Sequence, residues 1–158
     1  MRYNRRDKTG GPGMQEIELY SYHCGIIDFL NEMLRAGVKR LALSRPLEDK
    51  ALRDALVPFA QDACRRYGTK HYIEDEPLLC DLFPVSMNQG RYNILFYMED
   101  HILNQYQRLK ERKAALVAER AYFGGNRNQL AVEFGRLLSY PPEVVKRMVA
   151  ENTDKEQF

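Results

Sequence analysis

A chain of 158 residues, 44% hydrophobic and 29% charged, has the length and balance of one globular domain that can bury a core without disulfide or metal staples. Its formal charge of +2 is too small to specify a polyanionic partner, although Arg outnumbers Lys two to one. Three cysteines without CxxC spacing argue against a disulfide framework or zinc knuckle and for a reducing cytoplasm; no apolar run approaches the roughly 20 residues of a membrane span, and no signal peptide is recognisable.

Residues 1–13 (MRYNRRDKTGGPG) set Arg2, Arg5, Arg6 and Lys8 ahead of a Gly-Gly-Pro-Gly segment with no apolar period. This reads as a flexible basic N-terminal arm, with residues 14–158 as a single α/β domain. Such an arm can touch nucleic-acid phosphates through non-specific electrostatics, or serve only as solubilising charge. Lys8-Thr9-Gly10-Gly11 is not a phosphate loop, which needs its glycines before the lysine.

Apolar and polar residues alternate loosely from Ile17 to Tyr22, and Gly25 to Ala36 then places Ile26, Ile27, Leu30, Met33 and Leu34 on one helical face, with Gly37 as the stop. Val38 to Leu43 predicts a short strand. A second helix follows Ser44-Arg45-Pro46 and carries Leu52, Leu56, Phe59, Ala63 and Tyr67 as far as Gly68, with Pro58 expected to kink it. Tyr72 to Glu76 reads as an edge strand and Leu78 to Phe83 as a better one. The aromatic and branched run Tyr92 to Met98 suits a central strand, and the short polar connection from Pro84 to Gly90 predicts that it pairs antiparallel with Leu78 to Phe83.

After Asp100 the spacing predicts a helix that buries Ile102, Leu103, Tyr106, Leu109, Leu116 and Val117 and shows Arg108, Lys110, Glu111, Arg112 and Lys113 to water, ending at Gly124-Gly125. Asn126 or Asn128 is expected to cap a helix carrying Leu130, Ala131, Phe134, Leu137 and Leu138, and Tyr140-Pro141-Pro142 to stop it and start a last helix through Val149. The expected fold is α/β: a small mixed sheet of three to four strands flanked by helices, with a helical C-terminal third.

The chemistry-bearing residues are mostly acidic. If the antiparallel pairing holds, Glu74, Asp75 and Glu76 approach Glu99, Asp100 and His101 at one sheet edge, with Asp81 in the neighbouring strand. Carboxylates beside an imidazole can hold a divalent cation or act as an acid and base pair, so Asp81, Glu99, Asp100 and His101 are the candidate catalytic and metal residues of a metal-assisted hydrolase or nuclease. Asp81 is the only charge in Leu-Leu-Cys-Asp-Leu-Phe. Unpaired burial would cost several kcal/mol, so the blander expectation is an arginine partner such as Arg40 or Arg91. His23-Cys24 could form a base and thiolate, but a cysteine at the start of an apolar helix face is more simply a small core residue. Arg91, Tyr92, Tyr97, Tyr106, Arg108, Arg112, Tyr122 and Arg127 interleave rings with guanidinium groups, the mixture a single-stranded nucleic acid would need, yet helical spacing sends Tyr106 inward and the arginines to water.

Phe134-Gly-Arg-Leu-Leu-Ser-Tyr-Pro-Pro-Glu-Val-Val145 resembles the Gly-x-Leu-Leu-Gly-Tyr-Pro segment near the C-terminus of uncharacterised prokaryotic protein families of unknown function. Gly135, Leu137, Leu138, Tyr140 and Pro141 match; Ser139 stands where glycine is usual, and Val144 and Val145 where cysteines can follow. The resemblance implies no activity. No sequence motif names a reaction, and the first expectation is a non-catalytic cytosolic binding or regulatory module that a second copy could join through one of its helices. The rivals are the cation-dependent hydrolase and a nucleic-acid accessory protein using the basic arm and the Arg-rich helix.

Overall fold

The central strand is set by five consecutive residues, Asn93–Tyr97, all of them buried. In the computed structural model, which describes residues 17–158, this strand lies between two others in a three-stranded sheet. The elements in chain order are α1 (Leu19–Arg35), β1 (Leu41–Leu43), α2 (Lys50–Tyr67), β2 (Lys70–Glu74), α3 (Val85–Asn88), β3 (Asn93–Tyr97), α4 (Asp100–Ala118), α5 (Gly124–Leu137) and α6 (Pro142–Glu151). The sheet order is β1-β3-β2, and β3 runs antiparallel to both neighbours, with Leu41 opposite Tyr97 on one side and Lys70 opposite Tyr97 on the other.

Period-two alternation along β3 divides the apolar interior between the two sheet faces. Ile94 and Phe96 pack with Ile27 and Leu34 of α1, Ala42 of β1, and Leu56, Ala60 and Ala63 of α2. Leu95 and Tyr97 pack on the opposite side with Ile102, Tyr106 and Leu109 of α4, Leu130 and Phe134 of α5 and Val145 of α6. Each fully buried branched or aromatic side chain contributes roughly 1.5–3 kcal/mol. Cutting β3 would therefore open both faces.

Two expectations about the sheet are corrected. It has three strands, all paired antiparallel, and Leu78 to Phe83 is not one of them. That segment is bracketed by Pro77 and Pro84, and its backbone groups find side-chain partners in place of a ladder. The Leu78 N–H donates to Tyr106 Oη at 3.1 Å, while Asn152 Nδ2 donates to the carbonyls of Asp81 and Phe83 at 3.0 and 3.1 Å. Leu78, Cys80 and Leu82 are still buried, which explains the strand-like apolar pattern. The partners of β3 are instead Leu41–Leu43 and Lys70–Glu74, the second one shifted two residues toward the N-terminus from the expected edge strand.

The helices follow their caps. Glu18 accepts from the N–H groups of Tyr20 and Ser21 at the start of α1, and Asp49 accepts from Ala51 at the start of α2. Gly68 ends α2 in the left-handed region at φ 70°, and Pro58 sits inside that helix on its exposed side. The glycine pair 124–125 opens α5 where it was expected to close α4, which already ends at Ala118. Asn126 does not cap; its side chain turns back to the Ala121 carbonyl at 3.1 Å. At the other end of α5 the Tyr140 N–H returns to the Gly135 carbonyl at 3.0 Å while Ser139 adopts φ 67°, a left-handed helix stop, and Pro142 then starts α6.

Candidate functional site

The acidic residues singled out by the sequence are dispersed. Lys70 faces Tyr97 and Glu74 faces Asn93, so the four residue steps of β3, roughly 14 Å, separate Glu74 from the strand end that leads into Glu99. Asp100 pairs with Lys70 at 2.7 Å, and Glu99 with His101 Nδ1 at 3.1 Å, all of them exposed. Asp81 belongs to neither group. Its carboxylate, 10% exposed, is held by Arg127, not by Arg40 or Arg91, and Arg91 pairs with Glu48 at 2.8 Å. Among the described residues no group of three or more His, Cys, Asp or Glu side chains is placed to hold a metal ion. Arg2, Arg5, Arg6 and Lys8 lie outside the described residues.

The buried charges close on themselves. Glu74 accepts from Tyr106 Oη at 2.7 Å, Lys110 Nζ at 2.9 Å and the Glu76 N–H at 3.0 Å. Burial, reinforced by the hydrogen bond to that carboxylate, pushes the Tyr106 phenol far above its ordinary range, so it stays protonated as the donor. Arg53, 1% exposed, donates to the carbonyls of Glu74 and Asn93 at 2.8 and 3.1 Å and to the carboxylates of Asp54 and Asp75. These contacts tie α2 to the end of the β2–β3 ladder. The space enclosed by His23, Ser44, Arg45, Arg53 and Ile94 leaves no room for a water molecule. Cys24 and His23 are both buried, and burial raises the Cys24 thiol above its usual range, which disfavours the thiolate a nucleophile would use. Burial likewise lifts Cys80 to about 12.

An open cleft of about 720 Å³ lies between α4 and α5. Its α4 wall is Gln105, Arg108, Leu109, Glu111, Arg112 and Ala115, and its α5 wall is Glu133, Arg136 and Leu137. Helical periodicity accounts for both walls: Gln105, Arg108, Leu109 and Arg112 recur at three- and four-residue steps, and Glu133, Arg136 and Leu137 repeat that spacing. Arg40 completes the end nearest the α5 C-terminus, because the chain entering β1 is fastened there. The Arg40 N–H donates to Ser139 Oγ at 3.0 Å, and Lys39 Nζ donates to the Leu138 carbonyl at 3.2 Å. Desolvation lowers the Lys39 ammonium from its ordinary value.

Four guanidinium groups and two carboxylates leave the walls two charges positive. Arg112 is committed, donating to Glu133 at 2.8 Å, and Glu133 also accepts from Gln129 at 3.1 Å. The guanidinium groups of Arg40, Arg108 and Arg136 have no ion-pair or hydrogen-bond partner among the described residues, and all three residues are exposed. A planar guanidinium presents a fork of donors that matches carboxylate and phosphate oxygens. Like charges from three elements around one cleft repel one another, and an anion there would relieve that repulsion.

Arg108 and Arg112 lie on the outer side of α4, as their helical spacing predicts, but they form a cleft wall as well as a solvated face. Their shared spacing with Gln105 was a signal of a common wall; Arg136 and Arg40 gave none, because their approach depends on the α5 C-terminus meeting the entry to β1. Tyr97, Tyr106 and Tyr122 are buried, so those rings are not offered as a stacking surface. Among the described residues no helix is long and apolar enough to cross a membrane. Comparison with protein-family models, with curated proteins and with solved structures finds no match to this chain.

Proposed function

We propose that this protein is a non-catalytic binding module, and that it recognises an anionic ligand through the cleft between α4 and α5. The observation that carries this reading is the convergence of Arg40, Arg108 and Arg136, three exposed guanidinium groups from separate elements without partners among the described residues. Among the other exposed arginines, Arg65 and Arg66 pair with Asp62, and Arg66 with Asp28. The guanidinium groups of Arg35, Arg120 and Arg147 also lack partners among the described residues but do not line this cleft, so it is the shared cleft that sets Arg40, Arg108 and Arg136 apart. Cys24, Cys64 and Cys80 are all buried and unpaired, which supports a reducing, cytosolic setting for the module.

Thermal denaturation at low ionic strength, with inorganic pyrophosphate and with citrate, tests the reading. A ligand of the native state raises the melting temperature by mass action, and at a hundredfold excess over Kd the stabilisation is about 2.7 kcal/mol. The rise is expected to shrink with added salt and to vanish in the Arg108→Gln/Arg136→Gln double variant, whose exposed side chains contribute little to folding. Should neither anion move the transition of the unsubstituted protein, the proposal fails.

A further inference from the structure

We infer that the cleft takes an acidic helical segment of a partner protein, one face of which carries carboxylates at three- and four-residue spacing. The inference rests on the anion-binding reading above and adds the shape and charge order of the ligand. From Gln105 to Ala115 the α4 wall rises through ten residue steps, roughly 15 Å at 1.5 Å per residue. That is about three helical turns, far longer than a single phosphate or carboxylate group. The cleft is also shallow. Leu109 and Leu137 at its base are only 6% and 3% exposed, while Arg40, Arg108 and Arg136 all stand in solvent. A small anion can be held there by charge alone, but a drug-sized organic ligand needs most of its surface covered, which such a trough does not provide, whereas a helix laid along two helices needs only one side covered.

Charge order separates a protein segment from a nucleic-acid strand. Arg108, Glu111, Arg112, Glu133 and Arg136 alternate in sign along the two walls. A phosphate backbone repeats the same charge at every step and meets Glu111 unfavourably; a peptide can set glutamates against Arg40, Arg108 and Arg136 and a lysine against Glu111. No aromatic ring lines the cleft, so unpaired bases would find nothing to stack on. Ala115, small and exposed at the far end, leaves room for a helix backbone beside the methylene stems of Arg108 and Arg112.

Fluorescence anisotropy with three labelled probes tests this. The first is a helix-forming peptide with glutamates on one face and a lysine at its flank, the second the same composition scrambled, the third an oligothymidylate. The patterned peptide is expected to bind about tenfold more tightly than the scrambled one, to gain helical circular dichroism on binding, and to lose affinity in the Arg108→Gln/Arg136→Gln variant. Equal affinity for the two peptides overturns the helix inference and leaves the anion reading standing. Tighter binding of the oligonucleotide overturns it in favour of nucleic acid. If no probe binds while pyrophosphate or citrate still raises the melting temperature, the helix inference alone falls; if neither anion raises it, both readings fall.

Discussion

Arg127 closes on Asp81 with two hydrogen bonds of 2.8 Å, Nε to Oδ2 and Nη2 to Oδ1, across 46 residues of sequence. The same guanidinium donates to the Glu156 carbonyl at 2.9 Å and lies over the rings of Tyr122 and Phe158. The lone charge in an apolar hexamer is thus the clasp that holds the C-terminal residues against α4 and α5. Its position is a matter of packing, and it leaves no oxygen of Asp81 pointing at a vacant site.

Breaking that clasp on one side leaves a charge with little access to water. The two side chains are 18% and 10% exposed, so Asp81→Asn is expected to cost about 3 kcal/mol in urea denaturation. Asp81→Asn combined with Arg127→Gln removes both charges and should recover part of the loss. A single-variant cost under about 0.5 kcal/mol would place the pair among solvent-screened surface bridges and contradict this assignment.

What could be read from the chain alone divides at the same residue. The run from Tyr92 to Met98 announced a central strand, found at Asn93–Tyr97, because residues of this kind, buried on both faces, make a nearly continuous apolar run. Leu78 to Phe83 imitated that signal. Its alternating burial comes from packing against α4–α6, while its backbone bonds go to Tyr106 and Asn152, residues whose approach no local pattern encodes. The acidic cluster inferred from that false pairing came apart with it. The cleft stayed hidden for a related reason: α4 supplied two visible arginines, but Arg40 and Arg136 join them only through the bonds of Lys39 and Arg40 to Leu138 and Ser139.

Ser139 carries a separate test. It sits at φ 67°, a backbone region that glycine enters freely and a residue with a Cβ enters at a cost of about 1 kcal/mol or more. Its Oγ accepts from the Arg40 N–H, which offsets part of that cost. Ser139→Ala and Ser139→Gly both lose the acceptor and differ only in the Cβ, so the glycine variant should be the more stable of the two by about 1 kcal/mol in chemical denaturation. Equal stabilities would mean that the turn relaxes out of the left-handed region.

His23 predicts a pH dependence. Burial, with the positive charge of Arg45 adding to it, holds the His23 imidazole below its usual range. The unfolded chain takes up this proton near pH 6.5 and the folded protein resists it. The stability contributed by neutral His23 is therefore complete above about pH 6.5 and drains away as the pH falls through the window down to the depressed folded value. Urea midpoints at about pH 7.5 and about pH 5.5 should differ more in the unsubstituted protein than in His23→Gln. Identical differences would show that the folded protein protonates His23 without penalty.

Glu133 is the residue whose removal should strengthen binding. It neutralises Arg112 across the cleft at 2.8 Å, in a pair whose side chains are 41% and 30% exposed. At such exposure the bridge is worth at most about 1 kcal/mol to folding, so Glu133→Gln should leave the melting temperature nearly unchanged. The substitution releases a fourth guanidinium and deletes a negative charge from the wall. An interaction of about 1 kcal/mol with each added net charge corresponds to roughly fivefold in affinity, so pyrophosphate and the patterned acidic peptide should both bind Glu133→Gln more tightly by about that factor, with a steeper dependence on salt. Glu111→Gln, which frees no arginine, should raise pyrophosphate affinity less. Weaker binding by Glu133→Gln would mean that the carboxylate organises the cleft for its ligand, and the picture of Arg112 as a restrained anion donor would have to be abandoned.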